Sequence, residues 1–292
     1  MTWLNAVLQG ISLGGFYALL ACGLSLMFGV MRIINLAHGD IAVLGAFIVW
    51  VVANQWHLSP FLAVLPVLPV MLVFGYLLQL TLLGRSLRAG MLVPLLTTFG
   101  LAIVIQNALL QIFTPDVRSL GATAGGIATA SWRLSDSIAI PVPGVVVLLV
   151  AVAVLGGLQL FLRRTPMGRE MRATAQDQDT AQLVGVNAKA VYARATAIAV
   201  ATAALAGAFF AVRSTFDPSS GPTQLIFAFE AVVIGGFGSL WGTLLGGMAL
   251  GIAQAIGAAI DPQYAILAGH LVFLAVLASP RGGLLAARES AA

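Results

Sequence analysis

Four ionisable side chains stand inside long apolar runs of this 292-residue chain: His38, Asp40, Glu230 and His270. Charge is costly in hydrocarbon, so each is a functional candidate, as a proton relay, a substrate contact or a buried structural group. His38 and Asp40 follow Asn35 in the run NLAHGD. One reading is structural: Asn35 caps a helix and Asp40 sits at its positive end. The other places a broken helix end beside a translocation path, where Gly39 allows close backbone approach and free N–H groups meet a substrate. Glu230 is expected to face the bundle interior or a subunit interface, with a hydrogen bond to a neighbouring helix the plainer reading and substrate contact the sharper one. His270 reads as a satisfied interhelical residue. Thr97, Thr98, Gln106 and Asn107 add polar groups to one apolar segment. Thr97 and Thr98 are candidates for a cavity wall, although hydroxyls in membrane helices usually bond their own backbone or a neighbouring helix.

A second constellation is the polar stretch TPMGREMRATAQDQDTAQLVGVN, residues 165–187, in a chain where only 8% of residues are charged. Thr165 can cap a helix that begins at Pro166, with Glu170 near the positive end of its dipole. That helix is expected to run to about Gln176. Asp177 then offers a second cap, with Asp179 in the following first turn. Gly185 can take the left-handed conformation that ends a second short helix through Leu183 and Val184, and Asn187 can cap the next long segment. The small residues Ala173, Ala175 and Ala181 would permit close approach by another protein. Either the stretch docks a partner or it is an ordered connector.

The elements that carry these residues follow from composition. At 60% hydrophobic residues and a mean hydropathy of +1.02, the chain has too little charge to cover a soluble domain. Roughly 20 apolar residues span a bilayer as a helix, because backbone groups must be satisfied internally there. The fold class is therefore an all-α integral membrane protein, one transmembrane domain over residues 1–292, built as a polytopic helical bundle of about 8–10 transmembrane helices, of which some can be broken or re-entrant. Spans are expected at about 4–29, 36–53, 60–83, 91–113, 141–162, 190–212, 223–238, 240–259 and 264–279. The second and seventh are short or glycine-interrupted, so either can be broken or re-entrant. The opening MTWLNAVLQG lacks a basic n-region, so the first segment is expected to be a retained span.

Basic residues set the orientation. With the N-terminus outside, Arg32, Arg85, Arg88, Arg163, Arg164, Arg169, Arg172, Lys189, Arg194, Arg281 and Arg288 fall on the cytoplasmic side. Only Arg118, Arg133 and Arg213 fall outside. The C-terminus is then cytoplasmic, 163–189 a cytoplasmic loop and 114–140 an external loop. The external loop, with Asp116, Arg118, Trp132, Arg133 and Asp136, reads as a solvated connector, or else as a lid or a docking surface. The net charge of +4 fits loops facing anionic lipid, and no nucleic-acid partner is expected. Glycine pairs four apart, at 10 and 14, 242 and 246, and 247 and 251, allow close helix packing; one such face is a candidate interface with another subunit. Phe-Gly pairs at 28–29, 99–100 and 237–238 form no defensible repeat.

Other chemistries are disfavoured. The sole lysine, Lys189, precedes Ala190, so the chain has no P-loop. Cys22 is the only cysteine and has no sequence-identifiable base, and no HExxH-type metal motif occurs. No run suits a selectivity filter. A proton-coupled secondary transporter using His38, Asp40 or Glu230 remains an alternative.

Taken together, INLAHGDIAVLGAF (34–47), VPLLTTFGLAIVIQN (93–107), MGREMRATAQDQDTAQLVGVN (167–187) and AFEAVVIGGFGSLWGTLLGG (228–247) resemble the LivH-type permeases of branched-chain amino acid ABC importers, over nearly the whole chain. The resemblance implies a bacterial inner-membrane subunit that pairs with a LivM-type permease, two cytoplasmic ATPases and a periplasmic solute-binding protein. This chain would hold no cofactor or metal; ATP and Mg would bind the ATPases. The coupling helix maps to Gly168, Arg169, Arg172, Ala173, Asp177, Asp179, Ala181, Leu183, Val184 and Gly185. The four charged residues would make polar contacts while Leu183 and Val184 seat in an ATPase groove. The substrate path would involve Asn35, His38, Gly39, Asp40, Thr97, Thr98 and Glu230. Branched-chain or other hydrophobic amino acids are the expected cargo, with urea, short amides and aromatic carboxylates as alternatives.

Overall fold

A computed structural model describes residues 2–87, 89–90, 92–126, 130–135 and 138–279. Arg88, Asp136, Arg281 and Arg288, used above for orientation and loop character, lie outside the described residues. The chain is a helical bundle. In order come α1 (Thr2–Met31), α2 (His38–Gln55), α3 (Pro60–Leu78), α4 (Val93–Phe113), a hairpin of β1 (Ser131–Ser135) and β2 (Ile138–Pro141), α5 (Val142–Arg164), α6 (Pro166–Gln176), α7 (Gln178–Leu183), α8 (Ala188–Arg213), α9 (Gly221–Gly235), α10 (Leu240–Ile260) and α11 (Tyr264–Leu277). Each of the nine expected spans corresponds to a helix. Seven are long and apolar enough to cross a membrane; α9, with 15 residues, and α11, with 14, are shorter. The segment at 36–53 is thus long enough to cross, whereas the one at 223–238 is a helix of 15 residues, short as expected. It stops at Gly235 because Gly236 and Gly238 turn the chain with φ of 98° and 76°.

α1 and α8 form the centre of the bundle. Along most of their length they are buried, as is α2, whereas α3, α4 and α5 carry exposed Leu, Ile, Val and Phe side chains such as Leu65, Val73, Phe99, Val104 and Leu149. Water gains nothing when one apolar helix leaves lipid for another, so helix association here rests on close packing. Gly10 and Gly14 of α1 lie against Gly251 and Gly247 of α10, so that an added Cβ would enter the opposing backbone. Gly242 and Gly246 of the same α10 meet Gly235 and Ala231 of α9. All three glycine pairs are therefore buried within this chain, and none offers a subunit interface. The Phe-Gly pairs also acquire a role: the rings of Phe28 and Phe237 stand 4.2 Å apart, and Gly29 faces Gly238.

α3 does not end cleanly. After Leu78 it widens into a π turn over Gln79–Leu83, followed by Gly84–Ser86. The side chain of Gln79 accepts a 2.7 Å hydrogen bond from the Thr196 hydroxyl of α8, which places a buried amide at the widened turn. On the opposite end of the bundle, the segment after α4 is more than a solvated connector. Arg118 bridges to Phe216 through paired backbone hydrogen bonds, its guanidinium lies 4.6 Å from the Trp50 ring, and Leu120 is fully buried.

The glycine seam yields a direct test. Gly14→Val is expected to lower the melting temperature of the detergent-solubilised protein, an overpacking cost of about 1–3 kcal/mol. Gly157→Val, whose added Cβ would meet nothing within 4 Å, is expected to leave it unchanged. Equal shifts for the two variants would show that the α1–α10 seam does not depend on close approach.

Candidate functional site

The polar stretch folds as the local residues dictate. Thr165 accepts a 3.0 Å hydrogen bond from the Gly168 amide and starts α6 at Pro166. Asp177 accepts from the amides of Asp179 at 3.0 Å and Thr180 at 3.1 Å, and from the Thr180 hydroxyl at 2.6 Å. The Thr180 hydroxyl first, and then the two amides, hold the Asp177 carboxyl below its usual range. Because the shift is downward, this contribution is fully present above the ordinary carboxylate range and is lost as pH falls through the lowered value. Gly185 ends α7 with φ of 89°, and Asn187 accepts from the Ala190 amide at 3.2 Å to open α8. Glu170 departs from the expected dipole role: it pairs with Arg194 of α8 at 3.0 Å and ties the loop to the bundle.

The expected coupling residues divide by exposure. Gly168 packs against the backbone of Phe161 and Leu162, and Ala181 is buried, so neither surface is free for a partner. Ala173 is half-buried. Arg169, Arg172, Asp177, Asp179 and Gly185 are exposed, with the Asp177 carboxylate already engaged as a cap. Leu183 is 87% exposed and Val184 is 78% exposed, at the tip of the loop. Beside the loop, toward the widened end of α3, lies a cavity of about 850 Å3 lined in part by Gln79, Arg85, Gln178, Lys189 and Tyr192.

The NLAHGD run forms a genuine break. α1 ends at Met31, Arg32 turns with φ of 54°, and the chain runs back into the bundle without helix until His38. There the His38 Nε2 lies 2.9 Å from the carbonyl of Leu20, eleven residues before the end of α1 and so about 16 Å along its axis. Two of the unwound amides find side-chain partners: Leu36 donates to the Thr98 hydroxyl at 3.1 Å, and Ala37 donates to the Asn35 side chain at 3.0 Å. Asn35 is therefore not the helix cap; the cap position is Ala37, and Asn35 closes a turn two residues long.

The candidates for the substrate path all make contacts within the chain, while the His38 Nδ1 and one carboxylate oxygen of Glu230 are buried without a partner among the described residues. Asn35, His38, Asp40, Thr98 and Glu230 are buried. Gly39 abuts the Gly221 carbonyl and the Leu225 amide of α9, so its close approach is to the protein's own backbone. Asp40 accepts a 2.8 Å hydrogen bond from Gln106 and lies against Gly221, where the positive ends of α2 and α9 converge. Thr97 and Thr98 donate to the carbonyls of Val93 and Pro94 in their own helix, at 2.7 and 3.0 Å. Glu230 of α9 is hydrogen-bonded to His270 of α11, whose ring stacks on Phe227. Phe227 in turn contacts Tyr17, whose hydroxyl donates to Gln254 at 2.5 Å. Sequence reading missed Tyr17, Gln254 and the partner of Glu230, because those contacts join residues 40 to 237 positions apart.

Proteolysis tests the caps. Asp177→Ala is expected to speed trypsin cleavage at Arg169 and Arg172 at neutral pH, whereas Asp177→Asn, which keeps an acceptor oxygen, should be cut near the unsubstituted rate. No change in the alanine variant would mean that the cap does not hold the loop.

Comparison with known proteins places this architecture. The family model described as branched-chain amino acid transport system / permease component matches residues 6–277. The chain is 30% identical to the high-affinity branched-chain amino acid transport system permease protein BraD of Pseudomonas aeruginosa, over 96% of this chain and 95% of that one. It is 28% identical to LivH of Escherichia coli, covering 96% and 94%, and 26% identical to LivM of the same organism, covering 91% and 67%. No solved structure matches. The multi-pass helical bundle and the family match over residues 6–277 together show that this chain belongs to the branched-chain amino acid transport system permease family.

Proposed function

We propose that this chain is an inner-membrane permease subunit of an ABC importer for branched-chain or other hydrophobic amino acids. One observation carries the coupling part of the reading: Leu183 and Val184 are presented at 87% and 78% exposure on a loop otherwise held by three side-chain caps and the Glu170–Arg194 pair. An apolar pair on a rigid polar loop suits a groove on a cytoplasmic partner. Two ATPase subunits, which bind ATP and Mg, press on this loop as they close, and the bundle shifts between inward-open and outward-open states.

A second permease of the LivM type completes the pathway, and a periplasmic solute-binding protein delivers the cargo. The likeness of this chain to both LivH and LivM supports two related permeases descending from one fold. The N-terminus is periplasmic and the C-terminus cytoplasmic, an orientation that the basic residues around 163–194 support. Arg169, Arg172 and Asp179 contact the ATPases; Asp177, Gly168 and Ala181 hold the loop in shape. Asn35, His38, Gly39, Asp40, Thr97, Thr98 and Glu230 fix the broken helix and the short α9 that bound the pathway. This chain turns over nothing itself.

Leu183→Asp combined with Val184→Asp is expected to abolish co-purification of the ATPase subunits and uptake of labelled leucine. The melting temperature should stay close to that of the unsubstituted protein, since exposed substitutions usually change stability by under about 0.5 kcal/mol. Retained association and uptake would overturn the coupling assignment. Uptake of leucine, isoleucine and valine set against urea, acetamide and benzoate identifies the cargo class.

A further inference from the structure

The cavity of about 850 Å3 beside the polar loop lies between the widened end of α3, α7 and the start of α8. Its volume is within the ~300–1,000 Å3 typical of small-ligand pockets. The charge of its wall is one-sided: Arg85 and Lys189 line it, no Asp or Glu does, and among the described residues neither cation makes an ion pair or a hydrogen bond. Gln79 lines it too, although that residue is only 2% exposed. The Gln79 carbonyl is engaged by the Thr196 hydroxyl, but its amide nitrogen has no acceptor among the described residues and is not fully enclosed, so it opens to the cavity. Gln178 and Gln182, four residues apart on one face of α7, add further amides. A donor left unpaired in a buried side chain is costly unless something accepts from it. Two cations, a buried amide donor and no carboxylate are complementary to an anion with several acceptor oxygens.

The flank of the cavity identifies where such an anion comes from. Arg85 is the first Asp, Glu, Lys or Arg after Asp40, so it marks the point at which the chain leaves the hydrocarbon at the end of α3. Leading up to it, Val73, Leu77 and Leu80 are exposed and spaced four and three apart, which makes one apolar stripe along α3. Leu80 is itself part of the cavity wall, so the stripe ends in the cavity. An acyl chain fits the stripe, and a phosphate at its head would meet the two cations, as anionic headgroups do in basic pockets between membrane helices. Leu183 and Val184, assigned above to the ATPase contact, do not line the cavity. We propose that the cavity binds a phosphate group, supplied by the headgroup of an anionic phospholipid whose acyl chain lies along α3. Arg85 and Lys189 balance the phosphate charge, and the Gln79 amide donates to one of its oxygens. The bound lipid bridges the end of α3 to α7 and the start of α8.

The test reconstitutes the full-length chain in phosphatidylcholine nanodiscs and photolabels it with phosphatidylglycerol carrying a diazirine near the head of one acyl chain. Label is expected on peptides containing residues 77–87. Excess unlabelled phosphatidylglycerol should remove it, millimolar inorganic phosphate should not, and the matching phosphatidylcholine probe should give little. Each basic residue near a membrane surface is worth about fivefold in binding, so Arg85→Gln with Lys189→Gln is expected to lower labelling by about tenfold or more. Gln79→Met, similar in length but without donors, should also lower it. Arg163→Gln with Arg164→Gln removes the same charge at the same end of the bundle but outside the cavity, and should leave labelling unchanged. Both exposed double variants should keep the melting temperature of the unsubstituted chain in phosphatidylcholine. Equal labelling by the two probes, labelling that survives the Arg85–Lys189 and Gln79 variants, or an equal loss in the Arg163–Arg164 variant would overturn the site. Label removed by inorganic phosphate alone would point to a soluble phosphate compound and overturn the lipid as the source.

Discussion

A peptide group inside hydrocarbon has no water to turn to, and residues 32–37 are where this chain most nearly violates that constraint. Six residues run back into the bundle outside any helix, and side chains take over part of the work. Thr98 of α4 accepts from Leu36, Asn35 accepts from Ala37, and the His38 ring reaches the Leu20 carbonyl. Once α2 is forced to start in the bundle interior, its positive end needs an anion. Asp40 supplies it and at the same time faces the start of α9 at Gly221, with Gln106 fixing the carboxylate from α4. Four elements thus meet at one short unwound segment, and the candidate polar residues of the membrane interior are largely the means of holding it.

The second constraint is the absence of a hydrophobic drive between helices in lipid. Cohesion must come from contact, and this chain obtains it by removing side chains where helices cross. α10 is the shared partner: one glycine face lies on α1 and another on α9, while Gly257 and Gly269 bring α11 against its far end. These contacts spend the small-residue faces within the subunit. What remains outward on α3, α4 and α5 is large and apolar, the kind of surface that lipid or another permease covers.

α8 joins the two ends of the bundle. It begins at the Asn187 cap beside the polar loop and ends at Arg213, a continuous helix of 26 residues or about 39 Å. Glu170 clamps the loop to it through Arg194, and Thr196 binds the widened turn of α3 through Gln79. A displacement of the loop therefore meets a stiff element packed against α1, α2 and α3. The widened turn at Gln79–Leu83 lies beside the cavity on that side.

By itself the sequence determined what is local or compositional. Apolar runs of bilayer length required helices, and the loop at 165–187 was readable to the residue, because Thr165, Asp177, Gly185 and Asn187 act on backbone groups only a few positions away. The glycine pairs likewise announced close packing, though not the partner. Only the tertiary structure decided which faces meet, and hence that all three glycine pairs are internal. It also decided that Asn35 closes a turn instead of capping α2, that Asp40 answers Gln106, and that Glu230 answers His270. Gln106 and His270 stand on other helices, dozens of residues away, and in a chain so uniformly apolar no periodicity distinguishes one neighbouring helix from another. Arg213 and Gln224 show the limit most clearly: eleven residues apart on two different helices, they line a single recess only when α8 and α9 fold back beside α1.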